Sequence, residues 1–316
     1  MSVVVVGAGI SGVTCAAELA ARGLGVTVLE RSHGPGGRLA VHRHRGRPAD
    51  IGAAYLTVDD PEFDRQVRDW ERRGLLREWT DTLAVFDGTT RGDDSTGPMR
   101  WAAPDGLRSL VADLVHGARL DIRTGTEVRA VGPGPVVDGE PCDAVVLALP
   151  DPQAARLLDP AGPAGAAVTG RAWNPVLALT LGFAARDRPD LRCAFVNDHP
   201  VLSLVADDGD RRGDGAPVLV AHSTGDVARA RDADPAAAVP EMTAAVRELL
   251  GIGAEPEWTH VHRWRYAAPA APHDRPFHLG DDGIGICGDA WGRPRVQTAW
   301  RSGLDLGRAL AERLGA

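Results

Sequence analysis

The chain has 316 residues, 44% of them hydrophobic and 25% charged, as in an ordinary globular protein. This length exceeds one ordinary domain and predicts two. The formal charge of −8 argues against nucleic-acid binding, which needs a basic surface. No apolar stretch reaches the roughly 18 residues of a membrane span, and the N-terminal apolar run enters a motif directly rather than a cleavage site. We therefore expect a cytoplasmic protein, with no indication of its oligomeric state.

The absence of lysine and the spacing of the cysteines exclude several kinds of catalytic and metal site. All 35 basic residues are arginines, which excludes a Schiff-base lysine and a P-loop lysine. The cysteines lie far apart without Cys-x-x-Cys spacing, so we expect small buried residues and neither a zinc site nor a redox dithiol. They are Cys15, Cys142, Cys193 and Cys287.

The N-terminus has the pattern of a dinucleotide-binding turn. A run of four valines at 3–6 predicts a buried parallel strand, and three glycines follow it at Gly7, Gly9 and Gly12. Gly7 is expected to make the tight turn, Gly9 to let backbone amides approach a pyrophosphate, and Gly12 to let the next helix pack closely. The pattern predicts a phosphate cradle.

A helix and an acid complete this motif. The helix predicted over about 10–21 directs its positive N-terminus at the diphosphate, so Ile10 and Ser11 are predicted contacts. Glu30 ends the second apolar run eighteen residues after Gly12, the distance expected for an acid that binds a ribose diol. This acid favours a nucleotide with a free 2′-hydroxyl over one with a 2′-phosphate.

The turn after Glu30 indicates the nucleotide. It contains Arg31, two adjacent glycines ending at Gly37, and Arg38, whose planar guanidinium can pair with phosphate oxygens. The extension resembles the flavoproteins of the glutathione-reductase-like superfamily, which bind FAD this way. We predict FAD, with Glu30, Arg31, Gly37 and Arg38 among its contacts.

A basic cluster at 42–47 has two interpretations. One is a solvated β-hairpin with alternating exposed residues, and the other is a phosphate-binding patch. The pattern favours the hairpin.

The rest of the chain alternates predicted helices and strands. Helices are predicted from Pro61, over about 107–117, and over 235–250. Strands are predicted over 128–131, 143–150, 177–183 and 218–222. The first two strands are expected to return to the nucleotide domain, with Val128 as a cofactor contact.

A Gly-Asp pair followed by a helix near the C-terminus fits a flavin. Gly288 and Asp289 follow a short apolar run, and a helix is predicted to begin near Val296. The carboxylate can accept hydrogen bonds from ribityl hydroxyls. The helix N-terminus can stabilise negative charge at N1 and O2 of reduced flavin.

Several segments, in order along the chain, resemble the renalase family of FAD-dependent oxidoreductases. They are residues 50–57, 143–155, 262–267 and 287–303. The resemblance implies a fold similar to p-hydroxybenzoate hydroxylase and the amine oxidases, non-covalent FAD, and O2 as electron acceptor. For bacterial relatives it implies oxidation of 2- or 6-dihydronicotinamide isomers of NAD(P)H to NAD(P)+, with hydrogen peroxide as the second product.

The fold class expected is α/β, a Rossmann-type FAD-binding domain interleaved with an α+β substrate domain. The FAD-binding domain is predicted to comprise 1–60, 100–150 and 280–316. The substrate domain is predicted to comprise 61–99 and 151–279.

The departures from the family pattern concern the expected flavin face. Ala54 stands where the resemblance predicts Gln, and Gln297 and Thr298 replace Glu and Gly. Arg295 stands where similar amine oxidases have an aromatic cage residue, and its charge would repel a cationic amine. The chain also lacks the lysine that holds a water beside flavin N5 in many amine oxidases.

The predicted catalytic pocket lies around the flavin face left open by Gly52 and Ala53. It comprises Tyr55, Trp264, Tyr266, Trp291 and Arg295. Trp264 and Tyr266 share one face of a strand, so core packing is an equal alternative for them. His262 is a weaker candidate for a base, and with His260 it lacks a third ligand for a metal.

Three functions stay open at this stage. The leading one is a renalase-type oxidase acting on a small reduced nicotinamide-like molecule. The second is an amine oxidase or desaturase that modifies a secondary metabolite, and the third is a flavin-binding module without turnover.

Overall fold

A computed structural model describes residues 1–186 and 190–316. Its strands are β1 Ser2–Val6, β2 Gly25–Glu30, β3 Val41–His44, β4 Arg47–Asp50, β5 Arg77–Asp87, β6 Thr90–Arg91, β7 Ser95–Ala102, β8 Asp121–Thr124, β9 Val131–Gly132, β10 Val136–Val137, β11 Glu140–Pro141, β12 Ala144–Leu147, β13 Trp173–Gly182, β14 Cys193–Asn197, β15 Leu202–Asp207, β16 Val218–Ser223, β17 Trp258–Pro269, β18 His278–Leu279 and β19 Ile284–Ile286. Its α-helices are α1 Ile10–Ala21, α2 Pro61–Arg72, α3 Arg108–Ala118, α4 Asp151–Ala154, α5 Pro163–Val168, α6 Asp208–Arg212, α7 Gly225–Ala230, α8 Val239–Leu250 and α9 Val296–Leu314. Short 3-10 turns span Gly37–Leu39 and Pro235–Ala238.

The chain divides into two compact units. Unit 1 comprises 1–38, 108–173 and 268–316, and unit 2 comprises 39–107 and 174–267. The division differs from the predicted domains chiefly at 39–60, which belong to unit 2, and at 151–173, which belong to unit 1. The assignment of FAD and substrate to separate domains stays a prediction.

Unit 1 is built on a six-stranded sheet in the order β18-β19-β12-β1-β2-β8. All neighbours pair in parallel except β18, which is antiparallel to β19. The valines of β1 occupy its centre because a parallel strand covered on both faces favours a continuous β-branched run. This Rossmann-like sheet confirms the predicted α/β class.

Helices α1 and α9 pack closely in unit 1. A Cβ atom at Gly303 would lie 2.1 Å from the carbonyl oxygen of Ser11, and one at Gly307 would lie 3.1 Å from that of Cys15. No larger residue fits at Gly303 without backbone movement. The two glycines therefore set the approach of α9 to α1.

Unit 2 contains an eight-stranded sheet. Its order is β17-β13-β16-β15-β14-β5-β6, with β7 paired to β5. Leu177, Leu179 and Leu181 on β13 are fully buried and form a core with Met242 and Val246 of α8. Leucines stand at every second position of β13 from 177 to 181, and a helix covers the face that they form. A helix packed on one face of a mainly antiparallel sheet is typical of an α+β unit.

Most predicted elements are present. α1 has the predicted bounds, and α2 begins at Pro61 after Asp60, whose carboxylate accepts from the amides of Glu62 and Phe63 at 2.9 and 2.8 Å. The predicted helix at 235–250 is a 3-10 turn followed by α8.

The strand predicted over 128–131 is wrong. The amides of Arg129 and Ala130 donate to the carboxylate of Asp138 at 2.9 and 2.8 Å instead of to a neighbouring strand. Val131 begins the two-residue strand β9, which pairs with β10 in a small sheet outside the nucleotide-type sheet. Val128 is buried in the core of unit 1, at 7% exposure.

The basic cluster at 42–47 forms a β-hairpin, as favoured. Arg45 and Gly46 make the turn at φ of 48° and 88°, the left-handed region that such two-residue turns require. The hairpin is not wholly solvated, because His42 stacks on His260 with ring centroids 3.6 Å apart. Arg43 and Arg45 are exposed.

Candidate functional site

The turn between β1 and α1 requires glycine at two positions. Gly7 has φ of +103°, and a Cβ atom there would lie 2.7 Å from the carbonyl oxygen of Ala148. A Cβ atom at Gly12 would lie 2.1 Å from the carbonyl oxygen of Gly7. Both residues hold the first turn of α1 against the sheet.

Gly9 differs from these two residues because it borders open space. A Cβ atom there would meet nothing within 4 Å in the described parts of the chain. Gly9 is also the N-cap of α1, which has no side-chain cap and no acidic residue in its first turn. The positive helix end therefore borders open space, where an anion would be stabilised.

Glu30 is fixed beside this turn. Its two carboxylate oxygens accept hydrogen bonds from the amides of Ala8 and Ser32, each at 2.8 Å. Each oxygen has a second lone pair, so the carboxylate can still accept from two ribose hydroxyls. The amide of Gly36 donates to the carbonyl of Ala8 at 2.8 Å and joins the second glycine turn to the first.

The two arginines of the second turn have different positions. Arg31 is exposed and forms an ion pair with Glu127 at 3.4 Å. Arg38 donates to both carboxylate oxygens of Asp289, at 2.7 and 2.5 Å, and lies over the ring of Trp173. Two predicted cofactor residues thus meet across 251 positions of sequence.

Gly288 and the start of α9 form a second open edge of unit 1. A Cβ atom at Gly288 would meet nothing within 4 Å in the described residues, and its amide donates to Ser302 Oγ at 3.1 Å. α9 begins at Val296 after Arg295, without a side-chain cap or a first-turn acid. This helix end also presents uncompensated positive partial charge.

The predicted catalytic residues are divided between the units. Trp291 and the half-buried Arg295 belong to unit 1, and Tyr55, Trp264 and Tyr266 belong to unit 2. Trp291 is only 5% exposed and packs in the core of unit 1. This burial points to a supporting role for its ring.

In unit 2 the segment that carries Gly52 and Ala53 is held by side chains. Trp264 Nε1 donates to the carbonyl of Ile51 at 2.6 Å. Arg211 donates to the carbonyls of Asp50 and Ala54, at 3.2 and 3.0 Å. Both ends of the segment are thereby fixed.

Arg211 belongs to a buried charge cluster. Its Nε donates to Asp208 at 3.1 Å, and Arg212 Nε and Arg47 reach the same carboxylate at 3.0 and 2.7 Å. Burial alone would raise the pKa of Asp208, but Arg211 and Arg212 together lower it to about 2. Asp208 is therefore a carboxylate at all ordinary pH values.

Asp50 belongs to the same cluster, but its pKa is shifted in the opposite direction. It accepts from the amide of Leu107 at 2.9 Å and from Arg212 at 3.0 Å. Burial raises its pKa, outweighing the attraction of Arg211 and Arg212. The sequence did not predict the partners of Asp50, because the charged residues at 207–212 resemble an exposed segment. The apolar strand that precedes them, β15, was the available sign that they are buried.

Across 1–186 and 190–316 no group of three His, Cys, Asp or Glu side chains could hold a metal ion. In the same residues no helix combines the length and apolarity needed to cross a bilayer.

The family is identified by sequence. The profile of NAD(P)-binding Rossmann-like domains matches residues 5–70, and that of flavin containing amine oxidoreductases matches residues 73–309. The chain belongs to the flavin-containing amine oxidoreductase family. The family's description, flavin containing amine oxidoreductase, implies a flavin cofactor.

Curated relatives match over short stretches. A hydroxyneurosporene desaturase from Rubrivivax gelatinosus is 48% identical over 56 residues, which are 18% of this chain and 11% of the relative. An L-amino-acid oxidase from Daboia russelii is 42% identical over 77 residues, 24% of this chain and 14% of the relative. The chain thus spans only 11% and 14% of the length of these two relatives. The proteins that it resembles locally include a desaturase and an oxidase.

Solved structures match the whole chain. A candidate protoporphyrinogen oxidase from Exiguobacterium sp. 255-15 superposes with a TM-score of 0.79 and 15% identity over 99% of both chains. Putrescine oxidase bound to putrescine gives 0.74 and 15% over 100% of both chains. At such identity the likeness shows the fold alone.

The residues of unit 1 fit a flavin nucleotide. Gly9 and Gly288 border open space, and α1 and α9 begin there without caps. Backbone amides at a helix start suit a diphosphate, and a fixed carboxylate such as Glu30 suits a ribose.

Proposed function

We propose that this protein is a renalase-type oxidase with non-covalent FAD. Its substrate is a small reduced nicotinamide-like molecule, most directly a 2- or 6-dihydro isomer of NAD(P)H. Its electron acceptor is O2, and its products are NAD(P)+ and hydrogen peroxide.

The proposed dinucleotide is FAD because unit 1 contains candidate residues for its diphosphate, its adenosine ribose and its ribityl chain. The turn at Gly9 would hold the diphosphate, with Ile10 and Ser11 at the start of α1. Glu30 would bind the ribose of the adenosine half, and Asp289 would accept from the ribityl hydroxyls. Arg38 supports this arrangement by holding Asp289 in place.

The cysteines support non-covalent binding. Covalent attachment through a cysteine, one of several linkages that flavins form, needs a reactive thiolate. Cys287, next to Gly288, is fully buried, and burial raises its pKa to about 12. Burial likewise raises the pKa of Cys193 to about 12.

The observation that carries the choice of substrate is Arg295. Arg295 is half-buried at the N-cap position of α9, and its positive charge would repel a cationic amine and attract an electron-rich or anionic ring. When bound, the flavin would supply two-electron redox chemistry between the substrate and O2. Arg295 would orient the substrate, and the start of α9 would stabilise negative charge. A substrate already activated as a dihydropyridine requires no strong base, and burial together with the Arg263 charge lowers the pKa of His262.

The test is Arg295→Met. Losing substrate orientation should lower kcat/KM about tenfold or more, roughly 1.4 kcal/mol, while FAD stays bound. Arg293→Met removes an exposed guanidinium two residues away and is the matched control. Unchanged kinetics in the Arg295→Met enzyme would remove that residue from the site.

A second candidate function is a desaturase or amine oxidase acting on a secondary metabolite. The local match to the Rubrivivax gelatinosus desaturase favours it, together with the altered residues Ala54, Gln297 and Thr298. Reduction of the flavin by a polyene or amine, and by no dihydronicotinamide isomer, would select this candidate.

A further inference from the structure

A buried carboxylate in unit 1 lies outside the proposed chemistry. Asp151 is the first residue of α4 and is 1% exposed. Its Oδ2 atom accepts from His273 Nε2 at 3.2 Å and from Trp173 Nε1 at 3.3 Å. Its Oδ1 atom has no hydrogen-bond partner within residues 1–186 and 190–316. The Oδ2 atom of Asp151 therefore binds the rings of both His273 and Trp173.

The first ring leads to the loop that follows β19. His273 stacks on Trp291 with centroids 3.8 Å apart and planes 7° apart. The amide of His273 also donates to the carbonyl of Ala290 at 2.7 Å. Ring and backbone together hold the end of the segment 288–291.

The tautomer of His273 follows from its other neighbour. Arg171 lies 3.1 Å from His273 Nδ1, and a guanidinium can only donate. Nδ1 is then the acceptor, and Nε2 carries the proton and donates to Asp151 Oδ2. This arrangement fixes the imidazole plane against the indole of Trp291.

The second ring leads to the other end of the same segment. Trp173 lies under the guanidinium of Arg38, 5.1 Å from its ring centroid. Arg38 in turn forms the two hydrogen bonds to Asp289. A flat aromatic face restricts the guanidinium to the plane in which it meets the carboxylate.

We propose that Asp151 is a positioning residue that holds the segment 288–291 in its flavin-binding geometry through His273 and Trp173. The proposal rests on the proposed function in that FAD contacts this segment. Gly288 borders open space, where FAD would lie in the proposed function. Asp151 would act on both ends of the segment through the two rings.

The experiment measures FAD affinity of the apoprotein and the indole 1H–15N resonances of Trp173 and Trp291, assigned with Trp→Phe variants. Asp151→Ala should weaken FAD binding at least tenfold and move both resonances in the apoprotein. Asp151→Asn should restore affinity to within about threefold, since its carbonyl oxygen still accepts from both rings. Asp159→Asn, an exposed carboxylate of the same region, is the control.

If Asp151→Ala does not fold, His273→Phe gives the same test, since it keeps a flat ring beside Trp291 but cannot donate to Asp151. Unmoved indole resonances, or equal losses in Asp151→Ala and Asp151→Asn, would overturn the positioning role. Failure of the wild-type apoprotein to bind FAD would instead refute the proposed function, and the resonances would still decide whether Asp151 holds the rings.

Discussion

Two glycines of the first turn allow cofactor binding to be separated from folding. Gly9→Ala adds a methyl group to open space, whereas Gly12→Ala places one 2.1 Å from a backbone oxygen. Gly9 has φ of −74°, which alanine adopts freely. The two variants therefore differ in the surroundings of the added methyl group, which are open at Gly9 and occupied by backbone at Gly12.

The magnitudes follow from these surroundings. For Gly9→Ala, the lost N-cap preference of a few tenths to about 1 kcal/mol is offset by about 0.4–1 kcal/mol of lost unfolded-state entropy. Apoprotein stability should change by less than about 0.5 kcal/mol. For Gly12→Ala, overpacking of about 1–3 kcal/mol or more exceeds the roughly 1 kcal/mol gained in helix propensity, so the apoprotein is destabilised.

FAD affinity should show the opposite ranking. The Gly9→Ala methyl group would displace the diphosphate and cost charge-assisted hydrogen bonds of about 1.5–3 kcal/mol, roughly a 10- to 150-fold increase in Kd. Urea unfolding of the apoproteins and fluorescence titration with FAD measure the two quantities. Normal FAD binding by a stable Gly9→Ala apoprotein would refute the placement of the diphosphate at Gly9.

Two further predictions concern unit 2. Burial, and then the charge of Arg211, lower the pKa of His222 from 6.5 to about 4, so the unfolded chain binds a proton first as pH falls. Stability should therefore decline between about pH 6.5 and 4, by up to about 3 kcal/mol, and His222→Asn should flatten this decline in urea unfolding; an identical pH profile in the variant would contradict the assignment. Arg211→Gln should destabilise the protein by about 3–5 kcal/mol because it leaves Asp208 buried with fewer partners, whereas Arg229→Gln, which breaks the exposed pair with Asp226, should cost less than about 1 kcal/mol. Equal unfolding midpoints for these two arginine variants would argue against the buried charge cluster.

The local motifs could be predicted from sequence because each depends on neighbouring residues. The glycine spacing at 7–12 and the pair Asp60–Pro61 give α1 and α2 their starts without reference to distant parts of the chain. The prediction of a strand at 128–131 was wrong because a residue outside the segment determines its backbone hydrogen bonds. The apolar residues there suit a strand, but the carboxylate of Asp138 captures the amides that a sheet would need.

Asp151 and His273, which support the candidate site, could not be predicted because their contact joins distant parts of the chain. Asp151 and His273 lie 122 positions apart, and neither belongs to a motif whose spacing signals the other. Trp291 was expected in the pocket wall because aromatic residues suit both cores and flavin sites. The structure shows a ring stacked on His273 and nearly removed from solvent, which sequence alone does not distinguish from an exposed one.

The most direct test of the proposed function is anaerobic mixing of the FAD-loaded protein with the 2-, 4- and 6-dihydro isomers of NAD(P)H, a panel of amines and cyclic imines. The proposed substrates are the 2- and 6-dihydro isomers, so ordinary 4-dihydro NADH should be a poor reductant. We expect stoichiometric flavin bleaching by the 2- or 6-dihydro isomer, and one hydrogen peroxide per substrate when O2 is admitted. Rapid reduction by 4-dihydro NADH, or bleaching by amines with no response to the other isomers, would contradict the account.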